Sequence, residues 1–384
     1  MPDMIPVIKI LGRGTRKRFP CLIMKGRIIM GEKMHAIVLH APNDYSYEEV
    51  DIPEVGEDEV LVKVKAISIC GSDPKVFDGG YLSIGWPPSF PFTPGHEFSG
   101  EVVKLGANVT KFKVGDRVAG EAHCGCGHCD NCKKGMYNLC LNYGKVEEGH
   151  RHYGFTYRGA YADYNAYNVK ALTKIPDNIS YEEASLADTA GTSLQAIRLT
   201  GIVEGGYTVV IGPGPIGMFC MEIAKAMGSK TIMVGRGRRL EIAGELGADY
   251  LINFEEVDDV VKAIRDITGG VGVDQAFDAA GTKDSLAQCI YATRKNGQVA
   301  CVALPTVDLH EIPVKTMVMN QIHVTGSRAN PNCCEEVLKL MSEGKINAKG
   351  MITHVLPLSD FHHAMEVFTK RLEGAMKVVV CPEL

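Results

Sequence analysis

The pattern of hydrophobic and polar positions changes about halfway along the chain. Between residues 34 and 186, apolar and polar residues alternate in short runs, as in EVLVKVKAI at 59–67. This period of two is typical of half-buried strands, and turns such as KVGD at 113–116 separate the runs. Ser180 followed by Glu183 fits a capping box at the start of a helix. The first half is therefore predicted to be mostly antiparallel β-structure.

The second half has continuous apolar runs bounded by glycines, such as YTVVIG at 207–212, which are typical of buried parallel strands. Strands that alternate with helices of this kind predict βαβ units. The segments after residue 212 are a helix at 215–228, a strand at 230–235, a helix at 238–247, a strand at 249–254, a helix at 258–269, a strand at 273–281, a helix at 284–297 and a strand at 298–304. From residue 321 the pattern predicts one more strand, two amphipathic helices and a last strand.

Length and composition narrow the class of protein. A chain of 384 residues exceeds what one core usually serves, so two domains are expected. The formal net charge of -5 argues against a nucleic-acid partner. No apolar run is long enough to span a membrane and no signal peptide is recognisable, so we expect a cytoplasmic protein. In a reducing compartment, clustered cysteines favour metal binding over disulfides.

Residues 1–33 differ from the rest of the chain. They carry eight Lys or Arg against two acidic residues and show no period, whereas regular patterning begins at Met34. We predict that this extension is not part of the fold; a targeting arm is the alternative. The codons for the three residues before Met34 would resemble a bacterial ribosome-binding site, so we expect translation to start there. Detection of peptides from residues 1–33 in the native protein would contradict this.

A glycine-rich turn closes the strand at 207–212 and opens the following helix. Gly212, Gly214 and Gly217 have the G-x-G-x-x-G spacing, with Pro215 and Ile216 between the last two. Such glycines let the backbone approach a pyrophosphate, and the helix N-terminus supplies amide donors. The turn predicts an NAD(P) site; a tight turn without a ligand is the alternative.

The end of the next strand bears on the choice of dinucleotide. An acidic residue there would bind the ribose hydroxyls of NAD, whereas arginine would favour the 2′-phosphate of NADP. Gly235 stands at this position, and Arg236 and Arg239 follow it. The sequence therefore favours NADP. Two alternatives remain: the arginines begin a solvated helix and NAD is also used, or the strand is one residue shorter.

Two groups of candidate metal ligands are present. Four cysteines with C-x2-C-x2-C-x7-C spacing, in a lobe at about 123–141, suit a closed tetrahedral zinc site. These four are Cys126, Cys129, Cys132 and Cys140. A scattered second group could supply three ligands and an open position, as in a catalytic zinc site, although each member alone would be unremarkable. Its members are Cys70, Ser72, Asp73, His96, Glu97 and Asp188.

The motifs CGSD, PGHEFSGEV, VGDRV, CGHCDNCKKGMYNLC, GPGPIG and LGAD follow one another in this order. With them, the chain from Met34 to Leu384 resembles the zinc-dependent medium-chain dehydrogenase/reductase family, which includes alcohol, sorbitol and L-threonine dehydrogenases. The resemblance implies an α/β protein with a mostly-β, GroES-like catalytic domain at 34–188 and 321–384. It places the structural zinc lobe in this domain. A Rossmann domain with a doubly wound parallel sheet is expected at 189–320.

The resemblance also implies roles for the scattered group. Cys70, His96 and Asp188 would hold the catalytic zinc, with Glu97 able to approach it. Asp73 would orient the zinc-binding histidine. The cysteine quartet would hold a second zinc, and the family forms homodimers or homotetramers.

The expected reaction interconverts a secondary alcohol and a ketone, with hydride passing to the nicotinamide. Ser72 would take the alcohol proton. One departure from the family is Lys75, which stands where a relay histidine is usual, so the outer proton path must differ.

The substrate is expected to be a polyol or sugar alcohol, because the stretch at 148–164 that borders the family's substrate cleft is rich in His, Arg and Tyr. L-threonine 3-dehydrogenase is an alternative. A non-enzymatic zinc-binding protein is the alternative from a different class.

Overall fold

The computed structural model describes residues 32–305 and 311–384. Most of the predicted N-terminal extension lies outside these residues. Its last residue, however, belongs to the fold, because Lys33 begins the first strand and pairs with Asp51. The predicted start of the fold at Met34 is therefore one residue late.

The described residues contain seventeen strands and eleven α-helices. The strands are β1 (Lys33–Ala41), β2 (Asp44–Asp51), β3 (Glu59–Ser68), β4 (Glu97–Leu105), β5 (Arg117–Gly120), β6 (His123–Cys124), β7 (Arg151–His152), β8 (Tyr164–Asn168), β9 (Leu172–Lys174), β10 (Tyr207–Ile211), β11 (Lys230–Gly235), β12 (Tyr250–Asn253), β13 (Val273–Asp278), β14 (Thr293–Cys301), β15 (His323–Gly326), β16 (Ile352–Pro357) and β17 (Lys377–Cys381). The helices are α1 (Asp73–Phe77), α2 (Asp130–Lys133), α3 (Tyr181–Ser185), α4 (Ala187–Thr200), α5 (Pro215–Ala226), α6 (Gly237–Glu245), α7 (Val260–Ile267), α8 (Ser285–Ala292), α9 (Val314–Asn320), α10 (Cys334–Ser342) and α11 (Phe361–Lys370). None of these helices is long and apolar enough to cross a membrane.

A seven-stranded sheet joins the two ends of the chain. Its strands follow the order β16-β17-β3-β4-β5-β9, and β8 also pairs with β3. All of these pairings are antiparallel except that between β16 and β17. Because Val379 of the last strand pairs with Ser68 of β3, the C-terminal segment completes the sheet of the N-terminal half. The capping box at Ser180 and Glu183 is confirmed at the start of α3.

A six-stranded parallel sheet forms the second unit, in the order β12-β11-β10-β13-β14-β15. Apolar helices cover both of its faces and create two separate cores. The strand order reverses between β10 and β13, the kind of position where open α/β sheets form a ligand crevice. The predicted fold class, a mostly-β unit together with a doubly wound parallel sheet, is confirmed.

Two boundaries differ from the prediction. The parallel sheet continues beyond the expected limit at residue 320, because β15 (His323–Gly326) pairs in parallel with β14. The helix predicted at 284–297 ends at Ala292, since the following residues are extended and Asn296 adopts a φ of 58° before Gly297.

Candidate active site and metal centres

A cavity of about 320 Å³ receives side chains from both units. Cys70, His96, Glu97 and Asp188 line one part of it. Another part is formed by the glycine-rich turn and the start of α5, through Gly214, Pro215 and Ile216. The predicted metal ligands and the predicted cofactor turn thus share one space.

Cys70, His96 and Glu97 form a compact cluster whose candidate ligand atoms all lie within 4.8 Å of one another. The pairing of β3 with β4 produces it, because Ser68 lies opposite Glu97 in the sheet. One thiol, one imidazole and one carboxylate are ligand types that zinc accepts, and three protein ligands leave a position open. The residues therefore fit a catalytic zinc ion.

Asp73 contacts two members of this cluster, Cys70 and His96. Its Oδ2 accepts hydrogen bonds from the backbone N–H of Cys70 at 2.8 Å and from the hydroxyl of Tyr161 at 2.6 Å. Its Oδ1 lies 3.5 Å from Nδ1 of His96, which leaves Nε2 as the nitrogen available to a metal. Burial alone would lower the pKa of His96, but Cys70 and Asp73 raise it well above its ordinary value.

Glu97 is held by two neighbours. Its Oε1 accepts a hydrogen bond from the Thr189 hydroxyl at 2.7 Å, and its Oε2 accepts one from the ammonium of Lys377. Burial would raise the pKa of Glu97, yet Lys377 and His96 together lower it. The carboxylate is therefore kept charged at the edge of the cluster.

Asp188 lines the same cavity but lies outside the three-residue cluster. Its Oδ1 accepts hydrogen bonds from the backbone N–H of Ala122 at 3.0 Å and from the amide of Asn330 at 2.8 Å. Burial raises its pKa. The structure thus brings Glu97, rather than Asp188, closest to Cys70 and His96.

Ser72 occupies the N-cap position of α1 without a capping hydrogen bond, and its hydroxyl is buried without a hydrogen-bond partner among the described residues. It follows Cys70 and Gly71 in the chain, both of which line the cavity, although Ser72 itself is not among the lining residues. Its role in proton transfer stays a prediction.

The cysteine quartet is assembled in the lobe around α2, with all four sulfur atoms within 4.8 Å of one another. The Sγ atoms of Cys126 and Cys132 are 3.8 Å apart, and those of Cys129 and Cys140 are 3.9 Å apart. A tetrahedron with Zn–S bonds of about 2.3 Å has edges of about 3.8 Å. All four are free of disulfides, so the quartet fits a structural zinc ion.

Backbone conformation and lack of space require glycine at two positions of the glycine-rich turn. Gly212 has a φ of 109°, and a Cβ at Gly217 would lie 2.0 Å from the Gly212 carbonyl oxygen. Gly214 is the N-cap of α5, and Pro215 occupies the first turn of that helix. The turn therefore offers bare backbone and a helix N-terminus, which fits a dinucleotide pyrophosphate.

The three predicted cofactor residues at the end of β11 and just after it make different contacts. A Cβ at Gly235 would lie 2.3 Å from the Pro213 ring, so the absence of an acid there has a steric cause. Arg236 is exposed and pairs with Glu255 at 2.5 Å. Arg239 donates to the carbonyl of Ala375 at 3.0 Å, so this contact does not support its predicted contact with the cofactor.

Sequence reasoning missed four residues that hold the site together. Lys377 could have been suspected, because it is a charged residue at the start of the apolar strand KVVVC. The others gave no local signal, since they reach the site only through the fold. The missed residues are Lys377, Thr189, Tyr161 and Asn330.

Comparison with known proteins agrees with this geometry. Residues 56–177 match the family model of the alcohol dehydrogenase GroES-like domain, and residues 215–343 match that of the zinc-binding dehydrogenases. The fold and the cavity therefore define a two-domain, nucleotide-dependent oxidoreductase. The chain belongs to the zinc-dependent medium-chain dehydrogenase/reductase family, and it is an NAD(P)-dependent alcohol dehydrogenase in the broad sense of that family.

Several relatives cover almost the whole chain. D-arabitol-phosphate dehydrogenase of Enterococcus avium is 34% identical over 360 residues, which is 91% of this chain and 98% of that protein. Sorbitol dehydrogenase of Bacillus subtilis is 33% identical over 353 residues, with 91% and 98% covered. The crystal structure of 2R,3R-butanediol dehydrogenase from Bacillus subtilis matches with a TM-score of 0.81 and 31% identity, covering 91% of this chain and 99% of that one.

Proposed function

We propose that this enzyme interconverts a polyol-like secondary alcohol and the corresponding ketone. The observation that carries the proposal is the shared cavity, in which Cys70, His96 and Glu97 stand together with Gly214 and Ile216. A metal-ligand cluster beside a dinucleotide turn suits hydride transfer better than a purely structural zinc protein, which would not need the second feature.

The side chains divide the work of catalysis. When bound, zinc would supply the Lewis acidity that lowers the pKa of an alcohol, and NAD(P) would supply the hydride-accepting nicotinamide. Cys70 and His96 would hold the metal, with Glu97 or Asp188 as the further carboxylate. Asp73 orients His96 and is a positioning residue. Ser72 is the proposed proton acceptor.

The cysteine quartet would hold a second zinc ion with a structural role, which makes two per chain. Four thiolates satisfy a tetrahedral ion completely, so no position is left for a substrate. Such sites contribute folding free energy directly. The unlinked thiols of the quartet also support our proposal that the protein works in the cytoplasm, a reducing compartment.

NADP is the proposed preferred cofactor. The proposal rests on Arg236, which follows β11 and is exposed enough to reach a 2′-phosphate. Gly235 carries less weight, because its packing against Pro213 explains the missing acid. A 2′-phosphate would compete with Glu255 for the Arg236 guanidinium.

A polyol is the first proposed substrate class, because relatives named for sorbitol and D-arabitol phosphate cover nearly the whole chain. L-threonine is the second candidate, since L-threonine 3-dehydrogenase of Pyrococcus horikoshii is 35% identical over 337 residues. A panel of polyols, L-threonine and short secondary alcohols, read by absorbance with NAD and NADP in parallel, tests both points. Oxidation of none of them by the zinc-loaded enzyme would contradict the proposal.

A homodimer or homotetramer is proposed from the edge of the parallel sheet. β15 is the last strand of that sheet, and the nearby helix α9 exposes Val318 and Met319 to 73% each. An exposed apolar patch beside a strand edge that pairs with no other strand among residues 32–305 and 311–384 suits contact with a second copy. Light scattering of Val318→Asp should show a smaller assembly than the parent protein; an unchanged mass would contradict this interface.

A further inference from the structure

We infer that the cavity binds an anionic oxygen group of the substrate, a phosphate or a carboxylate, through a donor wall formed by Arg328 and His152. The inference rests on the proposed function and narrows its substrate class. Both residues line the cavity that contains Cys70 and His96.

Arg328 presents a positive charge that no carboxylate neutralises within the described part of the chain; its guanidinium instead lies over the Tyr143 ring at 5.0 Å. The loop that carries it is fixed at two points. The amide of Asn138 donates to the Arg328 carbonyl at 2.8 Å, and Asn330 donates to Asp188 at 2.8 Å. The charge is therefore held at the cavity by the same contact that positions Asp188.

The two carboxyl groups that line the cavity do not neutralise the Arg328 guanidinium. Glu97 is paired with Lys377, and Asp188 is bonded to Asn330 and to the Ala122 backbone. An arginine that faces a cavity without a free carboxylate selects an anionic ligand, because guanidinium groups match phosphate and carboxylate oxygens with their paired donors.

His152 adds a second polar group to this wall. Its Nδ1 is hydrogen bonded to the Tyr143 hydroxyl. When the Tyr143 hydroxyl donates to Nδ1, the imidazole hydrogen stays on Nε2. Because Nδ1 is engaged and the ring lines the cavity, Nε2 is the ring nitrogen available to a ligand there.

The wall stands a short distance from the metal cluster. Phe155 packs against both imidazoles, with its ring centroid 4.6 Å from that of His96 and 4.3 Å from that of His152. One aromatic side chain therefore contacts both the candidate zinc-ligand end of the cavity and the anion-binding end. A small alcohol with its anionic group a few carbons from the reacting hydroxyl would span both.

The test compares D-sorbitol, D-sorbitol 6-phosphate and L-threonine on the zinc-loaded enzyme, by kcat/KM and by thermal shift in the presence of reduced cofactor. The first two differ only in the phosphate, and the third carries a carboxylate, so the panel separates the two sources of charge. We expect at least one anionic alcohol to exceed D-sorbitol by about tenfold or more, the worth of a charge-assisted hydrogen bond.

Arg328→Gln should reduce this preference at least tenfold and abolish the matching thermal shift. Tyr143→Phe should reduce the preference less, because phenylalanine keeps the ring beneath Arg328 and loses only the hydroxyl that bonds His152. The control is Arg371→Gln, which replaces an exposed arginine that does not line the cavity. This variant should prefer anionic alcohols over D-sorbitol to the same degree as the parent protein. If D-sorbitol is oxidised with the same kcat/KM as both anionic alcohols, or if Arg328→Gln keeps the preference, the proposed donor wall is wrong. The proposed dehydrogenase activity is unaffected by that result. If nothing is oxidised, the proposed function fails, and the thermal-shift comparison still decides whether the wall binds anions.

Discussion

The ammonium of Lys377 is hydrogen bonded to the carboxylate of Glu97, and both side chains are only 2% exposed. Lys377 also donates to the carbonyl of Ile69 at 3.4 Å, next to the candidate ligand Cys70. The last strand of the chain thus supplies the charge that holds Glu97 beside the candidate ligands Cys70 and His96. The candidate site is complete only when the two ends of the chain have joined in one sheet.

Replacement of Lys377 by Met should destabilise the protein by about 3–5 kcal/mol, because it leaves the Glu97 carboxylate buried without its partner. Urea unfolding measures this loss. The control is Lys262→Met, which removes an exposed pair with Asp266 and should leave stability nearly unchanged, because solvent screens such a pair. Equal losses of unfolding free energy in the two variants would show that the buried Lys377–Glu97 pair does not stabilise the fold more than an exposed pair does.

Replacement of Gly217 by Ala should weaken binding of the dinucleotide. The new Cβ would meet the Gly212 carbonyl oxygen at 2.0 Å, so the turn must move. Overpacking of this kind costs about 1–3 kcal/mol. A displaced turn that loses the same amount in its contacts with the pyrophosphate would bind about fivefold to 150-fold more weakly. Fluorescence titration with NADPH measures it. Gly326→Ala meets no atom within 4 Å and serves as the control; a parent-like affinity of Gly217→Ala would refute the assigned turn.

Glu222 predicts a dependence of stability on pH. Burial raises the pKa of this carboxyl from 4.5 to about 7, although it accepts a hydrogen bond from the Asn347 backbone at 2.9 Å. Between these two values the folded protein keeps a proton that the unfolded chain has lost, so stability falls as the pH rises through this window. The loss is complete about one pH unit above the pKa of the folded state, near pH 8.

Glu222→Gln removes this titration. Between pH 4.5 and pH 8 the variant should therefore gain up to about 3 kcal/mol of stability relative to the parent protein. Chemical unfolding of both proteins at several pH values provides the measurement. A constant difference between them across this range would show that Glu222 titrates normally in the fold.

Features that depend on local spacing could be predicted from the sequence. The period of two in EVLVKVKAI and the apolar run YTVVIG each correspond to an observed strand, β3 and β10. The cysteine quartet was recognisable because its members lie within fifteen residues, Cys126–Cys140. Gly212 and Gly217 were recognisable because their spacing follows from the geometry of a single turn.

Features that depend on tertiary contacts could not be predicted in the same way. Lys377 and Glu97 are separated by 280 residues, and Asn330 and Asp188 by 142. Nothing in their local sequence indicates these partners. Gly235 illustrates the same limit, because the ring that leaves no room for a side chain at this position belongs to Pro213, on a neighbouring segment.

The central claim is that the chemistry takes place at Cys70 and its neighbours, while the cysteine quartet serves the fold. Measurement of turnover together with zinc content in Cys70→Ala tests this most directly, with Cys301→Ala, a half-buried cysteine outside both clusters, as the control. We expect a folded Cys70→Ala protein with one zinc per chain and almost no turnover, and a control with two zinc ions and parent-like turnover. Substantial alcohol oxidation by Cys70→Ala would contradict the assignment of the chemistry to Cys70 and its neighbours.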